Sequence, residues 1–250
     1  MTVDERLNYQ PADDLLKDRV ILITGASDGI GRALSLAAAK LGATVVLLSK
    51  TISKLEKVYD EIEAAGSPQP AIYPMNFKGA TVKDYQDLAD NIEQQLGRLD
   101  GLVNNAGWIG VITPFTQLSP ELYQQVMTVN LHAPFLLTQA VLPLLQKADD
   151  PSIVFSTHEC QRAYWGAFGV AKAGQEGLLK ILAHEYSGEN PIRVNGIDTG
   201  PVNTQMRRHH YPGEDWSKHP APEDVIAPYL YFLGPDSADT SGENMLLQPS

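Results

Sequence analysis

The chain has 250 residues, 43% apolar and 20% charged, which suits one large α/β unit whose core closes without disulfides or structural metals. Its formal charge of −11 argues against nucleic acid or an anionic membrane surface as partner, while leaving room for a local phosphate site. The single cysteine, Cys160, excludes an intramolecular disulfide and a cysteine-rich metal site.

Residues 1–17 are polar and lack the apolar run of a secretory signal. No window is expected to approach the ~20 apolar residues of a membrane span. The expectation is a cytoplasmic chain with an N-terminal extension over 1–18 and one domain over 19–250. From residue 19 onward, short apolar β-branched runs at 20–24, 44–48, 71–75, 102–104, 152–155, 194–197 and 245–247 read as strands. Their continuous apolarity fits strands covered on both faces. Between them, Ile52, Leu55, Tyr59 and Ile62, and then Tyr85, Leu88, Ile92 and Leu96, recur at helical spacing. Longer apolar-faced helices are expected over about 120–146 and 167–186, and one long irregular segment over 203–222. This alternation predicts a Rossmann-type α/β fold: a doubly wound parallel sheet of about seven strands, in three α/β/α layers.

The first strand runs into Thr24-Gly25-Ala26-Ser27-Asp28-Gly29-Ile30-Gly31, followed by helix formers at 32–40. Gly25 permits a tight turn, Gly29 lets backbone approach a pyrophosphate, and Gly31 lets helix and strand pack closely. The helix N-terminus then favours phosphate charge.

The spacing Gly-x-x-x-Gly-x-Gly after a threonine resembles the short-chain dehydrogenase/reductase family, and the likeness continues in chain order. Asn104-Asn105-Ala106-Gly107, Val129-Asn130, Lys172 and the segment from Gly200 to Thr204 match that family's motifs, with Thr199 where proline is usual. The wording at 163–172 and Asn8-Tyr9-Gln10-Pro11 is similar to its YciK-type bacterial branch. The resemblance implies a nicotinamide cofactor held by Gly25, Ser27, Asp28, Gly29, Ile30 and Gly31, and by Ser49 and Lys50 after the second strand. It adds Asn76, Phe77, Asn104, Ala106, Gly107, Lys172, Gly200, Val202 and Thr204. After the second strand stand Ser49 and Lys50 with no carboxylate, so NADP(H) is expected over NAD(H), although Asp28 is a counter-signal.

In that family a tyrosine moves the proton, a lysine one turn later favours its phenolate, a serine orients the substrate oxygen and an asparagine holds a relay water. Asn130 and Lys172 are present, but the tyrosine position is Phe168, whose ring has no ionisable hydroxyl. Ser156 is a candidate for the serine. Counting from the end of the fifth strand puts Thr157 or His158 there instead. Tyr164 and His158 are possible substitutes for the tyrosine. The histidines within 207–219 lack a regular ligand spacing, so no metal is expected, and that loop with Arg207, Arg208, His209 and Trp216 falls where the family covers its substrate. The expected function is an oxidoreductase moving hydride between nicotinamide and a small carbonyl or alcohol, with altered proton transfer. The alternative is an inactive protein using NADP(H) as structural or sensory ligand. By resemblance it forms a homodimer or homotetramer.

Overall fold

The computed structural model describes residues 2–248. A short helix α1 (Val3–Leu7) precedes β1 (Val20–Thr24), α2 (Gly29–Lys40), β2 (Thr44–Ser49), α3 (Ile52–Ala64), β3 (Ala71–Pro74), α4 (Val82–Leu96) and β4 (Gly101–Asn104). There follow α5 (Pro120–Met127), α6 (Ala133–Leu145), β5 (Ser152–Thr157), α7 (Gly166–Glu185), β6 (Arg193–Asp198), α8 (Gln205–His210), α9 (Ala227–Leu233) and β7 (Asn244–Leu246). All seven strands pair in parallel, in the order β3-β2-β1-β4-β5-β6-β7.

Alternate residues of one strand feed opposite layers, as the side-chain period of two requires. Ile21, Ile23, Val45 and Leu47 join the cluster under α2 and α9, while Val20, Leu22, Val46 and Leu48 join the one under α4 and α6. That double burial explains why the strands read as unbroken apolar runs. The strand order reverses between β1 and β4, which leaves a crevice beyond their carboxyl ends.

Three expectations change. The helix expected over 120–146 is interrupted by a π-helical turn, Thr128–His132, between α5 and α6. Against expectation, Pro120–Leu145 is long and apolar enough to cross a membrane by length and composition, but half of its most apolar stretch is buried in the fold. Leu137, Val141, Leu144 and Leu145 pack on the sheet, so its hydropathy belongs to the core. The segment 203–222 is not irregular throughout: Thr204 caps α8 by accepting from Arg207 N.

The N-terminal extension is structured by a capping box, with Thr2 and Glu5 each accepting from the other's backbone N–H. It carries Arg6 into a buried position between the rings of Tyr231 and Phe232, 5.0 and 5.3 Å from their centroids, where it pairs with Glu243 at 2.5 Å. Tyr9 packs edge-on against Tyr231 and donates to Asp236 at 2.8 Å. Residues 2–9 therefore strap α9 and the turn after it, far along the chain. Arg6→Ala is expected to cost about 2 kcal/mol, lowering Tm by roughly 4–8 °C in a chain of this size. Calorimetry checks this, and an unchanged Tm would show the strap to be idle.

Candidate active site

The crevice at the strand-order reversal is a cleft of about 560 Å³, within the range of small-molecule and cofactor sites. It runs from the glycine turn and the end of β2, past Asn105–Gly110, to the end of β5, α7 and the stretch from Thr199 to His210.

At one end, Gly25 (φ +69) and Gly29 (φ +52) adopt left-handed backbone that other residues resist. A Cβ on Gly31 would lie 2.3 Å from Gly25 O, so α2 starts with its backbone against β1. The first-turn N–H groups of a helix have no intrahelical acceptor, and Gly29 and Ile30 of that turn line the cleft, the Gly29 N–H being capped by Asp28. A Cβ on Gly29 would stand 3.1 Å from Thr204 Cγ2, which brings the Gly200–Thr204 segment over this turn. The groove thus fits a narrow anionic ligand lying against bare backbone.

Beside it, the Ser27 and Ser49 hydroxyls are 2.7 Å apart and Lys50 lines the cleft, exposed. Asp28 caps α2 by accepting from Gly29 N, and Lys54 Nζ bridges Asp28 Oδ2 at 2.6 Å and Gln205 Oε1 at 3.0 Å. The negative charge that counted against a phosphate here is therefore matched, leaving Lys50 in excess. Asn76 and Phe77 do not line the cleft: Asn76 Oδ1 accepts from Lys78 N, and Phe77 is buried against Tyr85. Asn104 is also core-facing, donating to Thr138 Oγ1, whereas its neighbour Asn105 lines the cleft.

At the other end, Lys172 on α7 is buried, and its Nζ donates to Ser156 O at 2.6 Å and to Gln175 Oε1 at 3.1 Å. Burial pushes its pKa down to about 8. Gln175, fully buried, also donates to the Asn130 carbonyl, so one side-chain amide links the lysine to the π turn. The Asn130 side chain is committed to backbone: its Oδ1 accepts from Trp108 N, and its Nδ2 donates to Trp108 O and Val126 O.

Phe168 is buried one turn before Lys172, its ring centroid 5.5 Å from Nζ. The Ser156 hydroxyl pairs with Asn105 Oδ1 at 3.2 Å and Tyr229 Oη at 2.8 Å, and Thr157 Oγ1 donates to Asn244. Both hydroxyls are thereby engaged by the protein. Tyr164 is 58% exposed in the turn before α7 and lies outside the cleft lining.

His158 does line the cleft, with its ring edge-on to Trp165 and Phe168. Its Nδ1 is 3.1 Å from Asp198 Oδ1. Asp198 also accepts from Gly200 N at 2.8 Å and from Glu159 N. Burial pulls the Asp198 pKa up, but the hydrogen bonds from His158, Glu159 and Gly200 outweigh it and hold the carboxyl below its ordinary range. An ionised carboxylate only accepts, so Nδ1 carries the hydrogen and Nε2 is left as the free ring nitrogen. Cys160, nearby, is inert: burial pushes its thiol up to about 12.

Sequence reasoning missed Asn105, Trp108, Trp165, Gln175 and Asp198. The first three had a readable signal, since each adjoins a motif already singled out.

The short chain dehydrogenase family model matches residues 19–215. The uncharacterized oxidoreductase YciK of Escherichia coli K12 is 41% identical over 246 residues, 97% of each chain. A short chain dehydrogenase structure from Shigella flexneri 2a, complexed with NADP, superposes with TM-score 0.91 at 40% identity, covering 95% of this chain and 100% of that one. Another from Escherichia coli CFT073, complexed with NADPH, gives TM-score 0.92 at 41% identity, covering 96% and 100%.

Gln175→Leu removes one of the two acceptors of a buried ammonium and leaves the Asn130 carbonyl without its donor. The expected cost is about 1–3 kcal/mol in thermal unfolding, with weaker NADPH binding in a fluorescence titration. Unchanged values for both would mean that the amide holds nothing in place.

Proposed function

The chain belongs to the short chain dehydrogenase family, and from that premise we propose that it is an NADP(H)-dependent oxidoreductase in which His158, held by Asp198, carries the proton in place of the missing phenol. When bound, NADP(H) supplies or accepts the hydride. The glycine turn and the α2 N-terminus would hold its pyrophosphate, and Lys50, Ser27 and Ser49 would take the 2′-phosphate. The NADP and NADPH complexes of two relatives support this cofactor.

The observation that carries the reading is the His158–Asp198 pair in the cleft wall against Phe168. In the reductive direction the imidazolium Nε2–H donates its proton to the substrate oxygen as the carbonyl carbon gains hydride. The neutral ring that remains keeps its Nδ1–H on Asp198, and water returns the proton. In the oxidative direction Nε2 accepts the alcohol proton. Lys172 stays a buried cation, held by Ser156 O and Gln175, and would favour the cofactor's nicotinamide half when it is bound. The reading includes a cytoplasmic homodimer or homotetramer formed through α5, α6 and α7. Phe135, Val170 and Ile181 leave apolar surface there at 46%, 50% and 61% exposure. The inactive, ligand-binding alternative draws on Phe168.

His158→Ala is expected to lower kcat by about 10²–10⁴-fold while NADPH Kd stays within about twofold. An undiminished rate rejects His158 as proton carrier. NADPH binding by the wild type with no hydride transfer across a broad carbonyl panel would instead favour the alternative.

Lys50→Ala should weaken NADPH binding by about tenfold, the 1.4 kcal/mol of a charge-assisted contact, and leave NADH unaffected. Equal losses for both cofactors would remove Lys50 from the phosphate site.

A further inference from the structure

The substrate end of the cleft differs in chemistry from its cofactor end. Its walls are Trp108, Ile109, Trp165, Phe168 and Met206. Ile109, Trp165 and Phe168 belong to one buried apolar cluster against which Trp108 packs. Trp165 and Phe168 stack tilted with centroids 5.8 Å apart, and His158 meets both rings edge-on. Trp108 is fixed from behind by Lys78, whose Nζ sits 3.2 Å from the ring centroid. Met206, at the start of α8, is exposed, lines the cleft and brings its Cε near Gly107.

The cations that line the cleft lie elsewhere or are matched, while Lys78 and Arg162 sit over the Trp108 and Trp165 rings without lining it. Lys50 and Lys54 stand at the β2 side, and Lys172 is buried under Ser156 O. Among the described residues, Arg207 is the one arginine lining the cleft. One edge of its guanidinium, Nε and Nη2, is taken by Glu214, at 2.7 and 2.6 Å, and its face lies 3.8 Å from the Tyr211 centroid. Hydrogen bonding from Arg207 holds Glu214 down at about 2 against burial, with His219 Nε2 3.1 Å away, so the carboxylate is ionised at neutral pH. His209 and His210 meet edge-on at 5.1 Å, and burial followed by the charge of His209 lowers His210, which favours its neutral form. The guanidinium by which this basic loop lines the cleft is therefore one whose charge Glu214 already matches.

We propose that the substrate is an uncharged carbonyl compound with a flat apolar body, an aryl ketone or aldehyde, lying between the Trp165–Phe168 wall and Ile109 with its oxygen toward His158. This rests on the oxidoreductase reading above. A carboxylate on such a ring would have to compete with Glu214 for Arg207, and its desolvation offsets what the ring gains. A small polyhydroxylated carbonyl would leave the aromatic walls uncovered and its own hydroxyls unpaired.

The test is calorimetric binding of 4-methylacetophenone and of its charged twin 4-acetylbenzoate to the NADP⁺-loaded protein, beside NADPH oxidation with the same pair. The methyl ketone is expected to bind at least about tenfold more tightly. Equal or tighter binding of the carboxylate, or binding of neither ring, overturns the proposal. Ketone binding without NADPH oxidation upholds the slot and rejects His158 as proton carrier, so the two readings fail separately. Met206→Lys, at an exposed position of the cleft lining that tolerates a cation, should narrow the preference by about tenfold. Selectivity unmoved by that lysine contradicts the placement of the ring.

Discussion

Everything at the reacting end of the cleft hangs on one buried carboxylate. Asp198 closes β6 and accepts at once from His158 Nδ1, Glu159 N and Gly200 N. Those donors belong to the loop after β5 and to the segment that bends back over the glycine turn. A single anion thus sets the imidazole, the path of the loop and the start of the cover over the cofactor groove. Unionised, it would lose an acceptor for at least one of them, so the hydrogen bonds and the charge maintain each other.

The same economy explains how the fold accommodates Phe168. With no phenol beside it, the Lys172 ammonium is a buried cation facing an aromatic ring, and burial, opposed by Cys160 and Asp198, brings its pKa to about 8. Ser156 O and Gln175 Oε1 take two of its three hydrogens, and Gln175 ties it further to the π turn at Asn130. The Ser156 hydroxyl is drawn away by Asn105 and the buried Tyr229. Among the described residues that line the cleft, His158 keeps a free ring nitrogen against the aromatic wall.

The sheet was legible in the sequence because strands covered on both faces leave continuous apolar runs, and the glycine turn because no other residue fits its backbone. Burial-driven features of low periodicity were harder. α9 is apolar on every side, so it shows no amphipathic stripe, and α8 is a short Arg- and His-rich helix marked only by the Thr204 cap. The α1 capping box, Thr2 with Glu5, was visible as a three-residue spacing but passed unread. At the site, Phe168 and Lys172 could be aligned by their separation of four. Asp198 could not, since forty positions separate it from His158 and only the β5–β6 pairing brings them together. Gln175 had no motif at all. Its role exists only once Lys172 and Asn130 are neighbours in space.

The central claim is that the proton route of the family has moved from a phenol to an imidazole while the cofactor groove stayed in place. The most direct measurement is hydride transfer from bound NADPH in the double variant H158A/F168Y, compared with H158A. Restoring the hydroxyl one turn before Lys172 should return at least about tenfold of the lost rate, within the range of general acid–base catalysis. The contradicting result is a single variant H158A that already reacts as fast as the wild type, with nothing left for the tyrosine to restore.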